Sequence, residues 1–164
     1  MNNIVVPGKF RIPHKGHEWL IQQAYELLIR FEGENKLYVG VAYTTEQFPF
    51  SLEERLEVIR GITAPYENIE VDNLREGQKL VNYAREREAK YIFRSTRDLT
   101  NEEDMWEFNK DFDPNITPHF LRPPNEYWYL NSTRLIEILT LEGGAEDLRP
   151  YVPEFTYKKL LEKQ

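Results

Sequence analysis

Five short runs of β-branched and aromatic residues punctuate the first 121 residues of the chain, and each hands over to a segment with helical periodicity. Ile4 to Val6, Leu37 to Ala42, Ile69 to Val71, Tyr91 to Phe93 and Thr117 to Leu121 read as strands. Between the first two, Trp19, Leu20, Ala24, Leu27, Leu28 and Phe31 recur at helical spacing. The next helix opens at Ser51 with Glu54 three residues on, a capping-box signature. Leu80, Val81 and Ala84 share a helical face, Leu99 to Phe112 reads as an acidic, aromatic helix, and Ser132 to Leu141 as a helix ending at Gly143-Gly144. Sustained alternation of this kind predicts an α/β domain: a five-stranded parallel sheet, doubly wound, with right-handed crossovers and helices on both faces.

Such sheets bind ligands beyond the carboxyl ends of their strands. The loop at Gly8 is expected there, with the stretches after Ala42, Phe93 and Leu121. The first of these is the richest in chemistry. Residues 7 to 17 read Pro-Gly-Lys-Phe-Arg-Ile-Pro-His-Lys-Gly-His, so His14 and His17 fall where a long amphipathic helix begins. A helix start carries unpaired N–H groups and partial positive charge, which suits phosphate. Two histidines three apart on one helical face can also hold a metal, but zinc takes three or four ligands, and the chain adds only His119 and no cysteine. One histidine at a helix start is commonly a cap. A pair of them with Gly8, Gly16 and Lys9 in eleven residues points to phosphate binding.

Two further segments belong to the same predicted rim. Arg94-Ser95-Thr96-Arg97 offers two planar forks that match phosphate bidentately, with Glu102, Glu103 and Asp104 as competing partners. Asn131-Ser132-Thr133 offers hydroxyls and backbone donors at a helix start, or plain N-capping.

The length of 164 residues fits one domain spanning 1–164, with no repeat or flexible linker. No apolar run approaches the roughly 20 residues of a membrane span, and the first residues lack the pattern of a signal peptide. A cytoplasmic protein is expected. The net charge of −7 argues against a general nucleic-acid or membrane surface, so any phosphate ligand must be met locally.

The segment from Pro7 to His17 resembles the signature of nucleotidyltransferases, whose motif is Thr or His, any residue, Gly, His. Phe50-Ser51-Leu52-Glu53-Glu54-Arg55, Leu80 to Ala84, Arg94 to Arg97, and Glu126-Tyr127 before Asn131-Ser132-Thr133 are similar in order and spacing to the phosphopantetheine adenylyltransferases. This resemblance implies a Rossmann-like domain that joins ATP to a small phosphorylated acceptor, 4′-phosphopantetheine, with magnesium on the triphosphate and no metal held by the protein itself. It implies attack of the acceptor phosphate on the α-phosphorus, loss of pyrophosphate and no covalent enzyme intermediate, by positioning and charge neutralisation. His17, His14 and Lys9 take the catalytic places. Gly8, Phe10, Gly16, His17, Arg97, Asn131, Ser132 and Thr133 take those around the nucleotide. Lys9, Leu80 and Arg94 take those at the acceptor. A homo-oligomer is also implied.

The sequence departs from that family's pattern at several points. Lys9 stands where threonine touches the acceptor phosphate, Arg11 where aspartate is usual, and Glu46 and Gln47 where a lysine reaches the reacting phosphates. Lys9 can restore the missing positive charge through its flexible stem. Alternatively the acceptor differs: Lys9, Arg11 and His14 to His17 also resemble the start of archaeal nicotinamide-mononucleotide adenylyltransferases. Loss of the loop lysine also motivates a second reading, ranked below the enzyme: a nucleotide-binding module that has lost catalysis.

Overall fold

The computed structural model describes residues 1–96 and 113–164. Its strands are β1 (Asn3–Gly8), β2 (Leu37–Val41), β3 (Ile69–Asn73), β4 (Ala89–Ser95) and β5 (Thr117–Leu121). They form one sheet in the order β3-β2-β1-β4-β5, and every neighbouring pair is parallel. Strand order reverses direction at β1, so the crevice beyond the carboxyl ends of β1 and β4 is the topological switch point of a doubly wound sheet.

Alternation along the strands decides which face each helix covers. Ile4 and Val6 of β1, with Leu37, Val39 and Val41 of β2, pack against α1 (Lys15–Leu28) and α2 (Leu52–Thr63). Val5 and Ile92 point the other way, against Val81 and Ala84 of α3 (Leu80–Glu86). Both faces are therefore covered, as the buried, β-branched strands require. On the α3 side Gly40 is a spatial necessity, because a Cβ there would lie 2.8 Å from the Tyr83 ring.

Within the described residues the expected strands and helices appear, with ends adjusted. The second strand stops at Val41, and Ala42 donates its N–H to the Gly8 carbonyl at 2.7 Å, tying the ends of β2 and β1 together. The helix expected over Ser132 to Leu141 is α4 (Ser132–Leu139). The helix expected over Leu99 to Phe112 lies outside the described residues.

Beyond Gly144 the chain continues through α5 (Ala145–Leu148), a 3₁₀ turn (Arg149–Tyr151) and α6 (Glu154–Glu162). Leu148, Val152, Tyr157 and Leu160 form a third apolar cluster with Ile12, Phe50 and Leu135. The C-terminal helices thus pack directly on the loop that leads from β1 to α1. Helix α6 crosses α2 so closely that a Cβ on Gly61 would come within 2.3 Å of the Phe155 ring, and Lys159 pairs with Glu57 across the same contact at 2.8 Å.

Candidate active site

His14 is the N-cap of α1, and it caps in an unusual way. Its Nδ1 accepts the Gly16 N–H at 3.1 Å, while its own backbone N–H is donated to Nδ1 of His17 at 3.2 Å. The two histidines therefore build a reciprocal capping box, the arrangement ordinarily made by a hydroxyl and a glutamate. Because each Nδ1 accepts a backbone proton, each neutral ring carries its own proton on Nε2. The imidazoles stack at 3.7 Å between centroids, inclined by 22°. Two N–H donors are thereby held in parallel at the positive end of a 14-residue helix.

A Cβ on Gly16 would sit 2.9 Å from His14 Cε1. Phe10 holds its backbone in the left-handed region, at φ 50°, where an aromatic residue is rarely found. That turn brings the Phe10 ring under Gly8, whose absent Cβ would lie 3.0 Å from it, and edge-on to His17 at 4.9 Å. Gly8, Phe10, Gly16 and His17 thus form one packed unit, and Lys9 stands exposed at its edge.

Distant segments converge on the same loop. The Ile12 N–H points to Ser132 Oγ at 3.5 Å, 120 residues away, which brings the start of α4 against the loop. Tyr127, in the turn before α4, lies 3.9 Å from the place a Gly16 Cβ would take. Glu18, in the first turn of α1, has its carboxyl pushed above the ordinary range by burial, against the opposing pull of Lys15.

Of the other sequence-derived candidates, Asn131 uses its side-chain oxygen to accept the Arg134 N–H at 2.8 Å, so N-capping is its visible role; Thr133 is exposed beside it. Arg94 lies next to the end of β4, half-buried, and burial holds its guanidinium below the ordinary range. Leu80 begins α3 at the same rim but packs on the opposite sheet face from the histidines. Arg97 lies outside the described residues. His119 is engaged with other rings: it stacks on Phe93 at 4.9 Å and meets Tyr91 edge-on. Among the described residues no three His, Asp or Glu side chains are grouped to hold a metal.

Arg55 was not singled out from the sequence. It is 1% exposed, and its Nη1 donates to the carbonyl oxygens of Lys9 at 2.7 Å and Ala42 at 3.3 Å. The signal was present: Leu52, Arg55, Leu56, Ile59 and Ile62 follow one helical stripe, and only the arginine breaks its apolar character. Arg55 cross-links the chain beyond β1 to the chain beyond β2, and so sets the floor of the crevice.

Residues 5–138 match the family model described as cytidylyltransferase-like. The chain belongs to the cytidylyltransferase-like family. Its relatives are nucleotidyltransferases, as the histidine signature implied, and the kinship is close along the whole chain. It is 35% identical to the phosphopantetheine adenylyltransferase of Chromobacterium violaceum, over 98% of this chain and 96% of that protein. With the enzyme of the same name from Neisseria meningitidis serogroup C it shares 32% identity, over 96% and 91%. Among solved structures, the nicotinic acid mononucleotide adenylyltransferase of Plasmodium falciparum superimposes with a TM-score of 0.70 at 12% identity, covering 98% of this chain and 94% of that one. That last likeness establishes the Rossmann-like fold of this family member.

Proposed function

We propose that this protein transfers AMP from ATP to 4′-phosphopantetheine, releasing pyrophosphate and forming dephospho-CoA. The observation that carries the reading is the stacked His14–His17 cap at the switch point of a chain akin to phosphopantetheine adenylyltransferases over its full length. The acceptor's phosphate oxygen attacks the α-phosphorus, and the bond to the bridging oxygen of pyrophosphate breaks. Charge on the phosphoryl oxygens must be met as it shifts, with no protein nucleophile needed.

In this reading the His17 Nε2–H donates to the α-phosphate in the transition state, and the His14 Nε2–H to a neighbouring phosphate. Gly8, Phe10 and Gly16 bring the loop backbone close to the nucleotide, while Ser132, Asn131, Thr133 and Arg97 border it. Lys9, Arg94 and Leu80 face the acceptor. Magnesium would come in on the triphosphate and offset its charge. Magnesium commonly keeps several waters and takes phosphate oxygens of its substrate as ligands, so an ion of this kind needs no cage of protein side chains. We take residues 1–164 as one catalytic unit, working in the cytoplasm as a homo-oligomer.

A second reading keeps the chemistry and changes the acceptor to one such as nicotinamide mononucleotide. It is favoured by Lys9 and Arg11, which with His14 to His17 resemble the start of archaeal nicotinamide-mononucleotide adenylyltransferases. Pyrophosphate release from ATP and magnesium, with each acceptor offered separately, tests both. Turnover with phosphopantetheine is expected. Turnover with nicotinamide mononucleotide alone would replace the first reading by the second.

A further inference from the structure

The loops beyond β1 and β2 hold more positive charge than they neutralise. Arg55 is buried, and no carboxylate pairs with it among the described residues; it leans on two carbonyl oxygens, and its Nε has no hydrogen-bond partner there. Arg11 lies near enough that, after burial itself, its charge is what pulls the Arg55 guanidinium below the ordinary range. Buried charges of like sign are costly unless an opposite charge joins them.

One carboxylate does so, and incompletely. Glu46 Oε2 lies 2.8 Å from Arg11 Nε, yet that buried Nε makes no well-aligned hydrogen bond. The Glu46 side chain is 51% exposed, against 21% for Arg11. An exposed carboxylate in a loop is a weak mooring, because water screens the pair and two side chains must be ordered to keep it. A phosphate carries more charge and accepts two parallel bonds from a guanidinium.

We propose that Arg11 is a phosphate-binding residue, held by Glu46 until a substrate phosphate displaces the carboxylate. The inference rests on the reading given under Proposed function and deepens it at one side chain. Arg55, behind it, keeps the local charge positive, so an arriving anion finds an excess to neutralise. Glu46 is then a competitor that lowers the affinity of the site in proportion to how often it occupies Arg11.

The test is calorimetric binding by the full-length chain of pyrophosphate, magnesium-ATP and 4′-phosphopantetheine, each alone. Wild type is compared with Glu46→Gln, Arg11→Gln and the double variant, after circular dichroism confirms equal folding. For the ligand whose phosphate meets Arg11, Glu46→Gln is expected to tighten binding several-fold, because the competitor is gone. Arg11→Gln is expected to weaken it by about tenfold or more, the loss of a charge-assisted contact. The double variant should follow Arg11→Gln. Which ligand responds distinguishes the donor's phosphates from the acceptor's. Unchanged or weaker binding in Glu46→Gln, or unchanged binding of all three ligands in Arg11→Gln, overturns the proposal and leaves the adenylyl-transfer reading standing. A wild-type chain that binds none of the three overturns both.

Discussion

The Thr156 hydroxyl donates a hydrogen bond of 2.8 Å to the carbonyl oxygen of Pro13, joining α6 to the residue just before His14 across 143 positions of chain. Thr156 is fully buried, so this carbonyl has no water to fall back on. Thr156→Val keeps the shape and removes the donor. It is expected to cost about 1–2 kcal/mol in denaturant unfolding, the penalty of a buried acceptor left unpaired. Because Pro13 orients His14, kcat should fall as well. An unchanged kcat at reduced stability would make α6 a support for the fold and not for the site.

His14 combines two roles that different substitutions separate. Asparagine is among the best N-caps, so His14→Asn should retain stability within a few tenths of a kcal/mol, while His14→Ala should lose about 1 kcal/mol. Neither supplies the Nε2 donor, and turnover should drop in both. His17→Ala is expected to lower kcat by about 100-fold or more with a smaller change in KM for ATP, the mark of a donor used in the transition state. Steady-state kinetics and chemical denaturation on the three variants check this together.

Gly16→Ala sets local propensity against packing. Alanine inside the first turn of α1 favours the helix by up to about 1 kcal/mol. Its Cβ would lie 2.9 Å from His14 Cε1 and 3.0 Å from Nδ1, so the imidazole must move off its stack with His17. The melting temperature should change little, whereas turnover should fall by about 100-fold, as displacement of an aligned group by an ångström can do. Full activity in a folded Gly16→Ala chain would show that the stack is not needed.

Much of this architecture is legible in the residues. Strands β1 and β2 announce themselves because buried parallel strands are nearly continuous apolar runs, β3 and β5 at the sheet edges show only shorter β-branched or aromatic stretches, and His14 to His17 stand out as two imidazoles at a helix start. Helix α6 was missed for a physical reason: Glu154 to Glu162 mixes Phe155, Leu160 and Leu161 with four charged residues, and two of its buried contacts, at Thr156 and Tyr157, are made by groups with polar atoms. The pairing of Arg11 with Glu46 was also out of reach, since it joins two loops 35 positions apart whose relative placement only the sheet determines. Each residue looked like an isolated departure from the family pattern, and together they form a contact.

His119 gives the fold a sensitivity to acid that is separable from catalysis. Burial against Phe93 and Tyr91 holds its imidazole below the ordinary value of 6.5, since the charged form loses water there. The unfolded chain therefore binds this proton at higher pH than the folded one does. Stability attributable to the site is fully present above about pH 6.5 and is lost as pH falls through the window between the unfolded and the lowered folded value. Denaturant midpoints measured from pH 7.5 to pH 5 should thus decline in the wild-type chain. His119→Phe retains an aromatic ring against Phe93, whose plane lies within 5° of the imidazole, and removes the titration. Its midpoint should decline less steeply over the same range. Carboxylates elsewhere contribute their own acid dependence, which both chains share, so the difference between the two slopes isolates His119. Identical slopes would mean that the folded and unfolded chains protonate this imidazole alike.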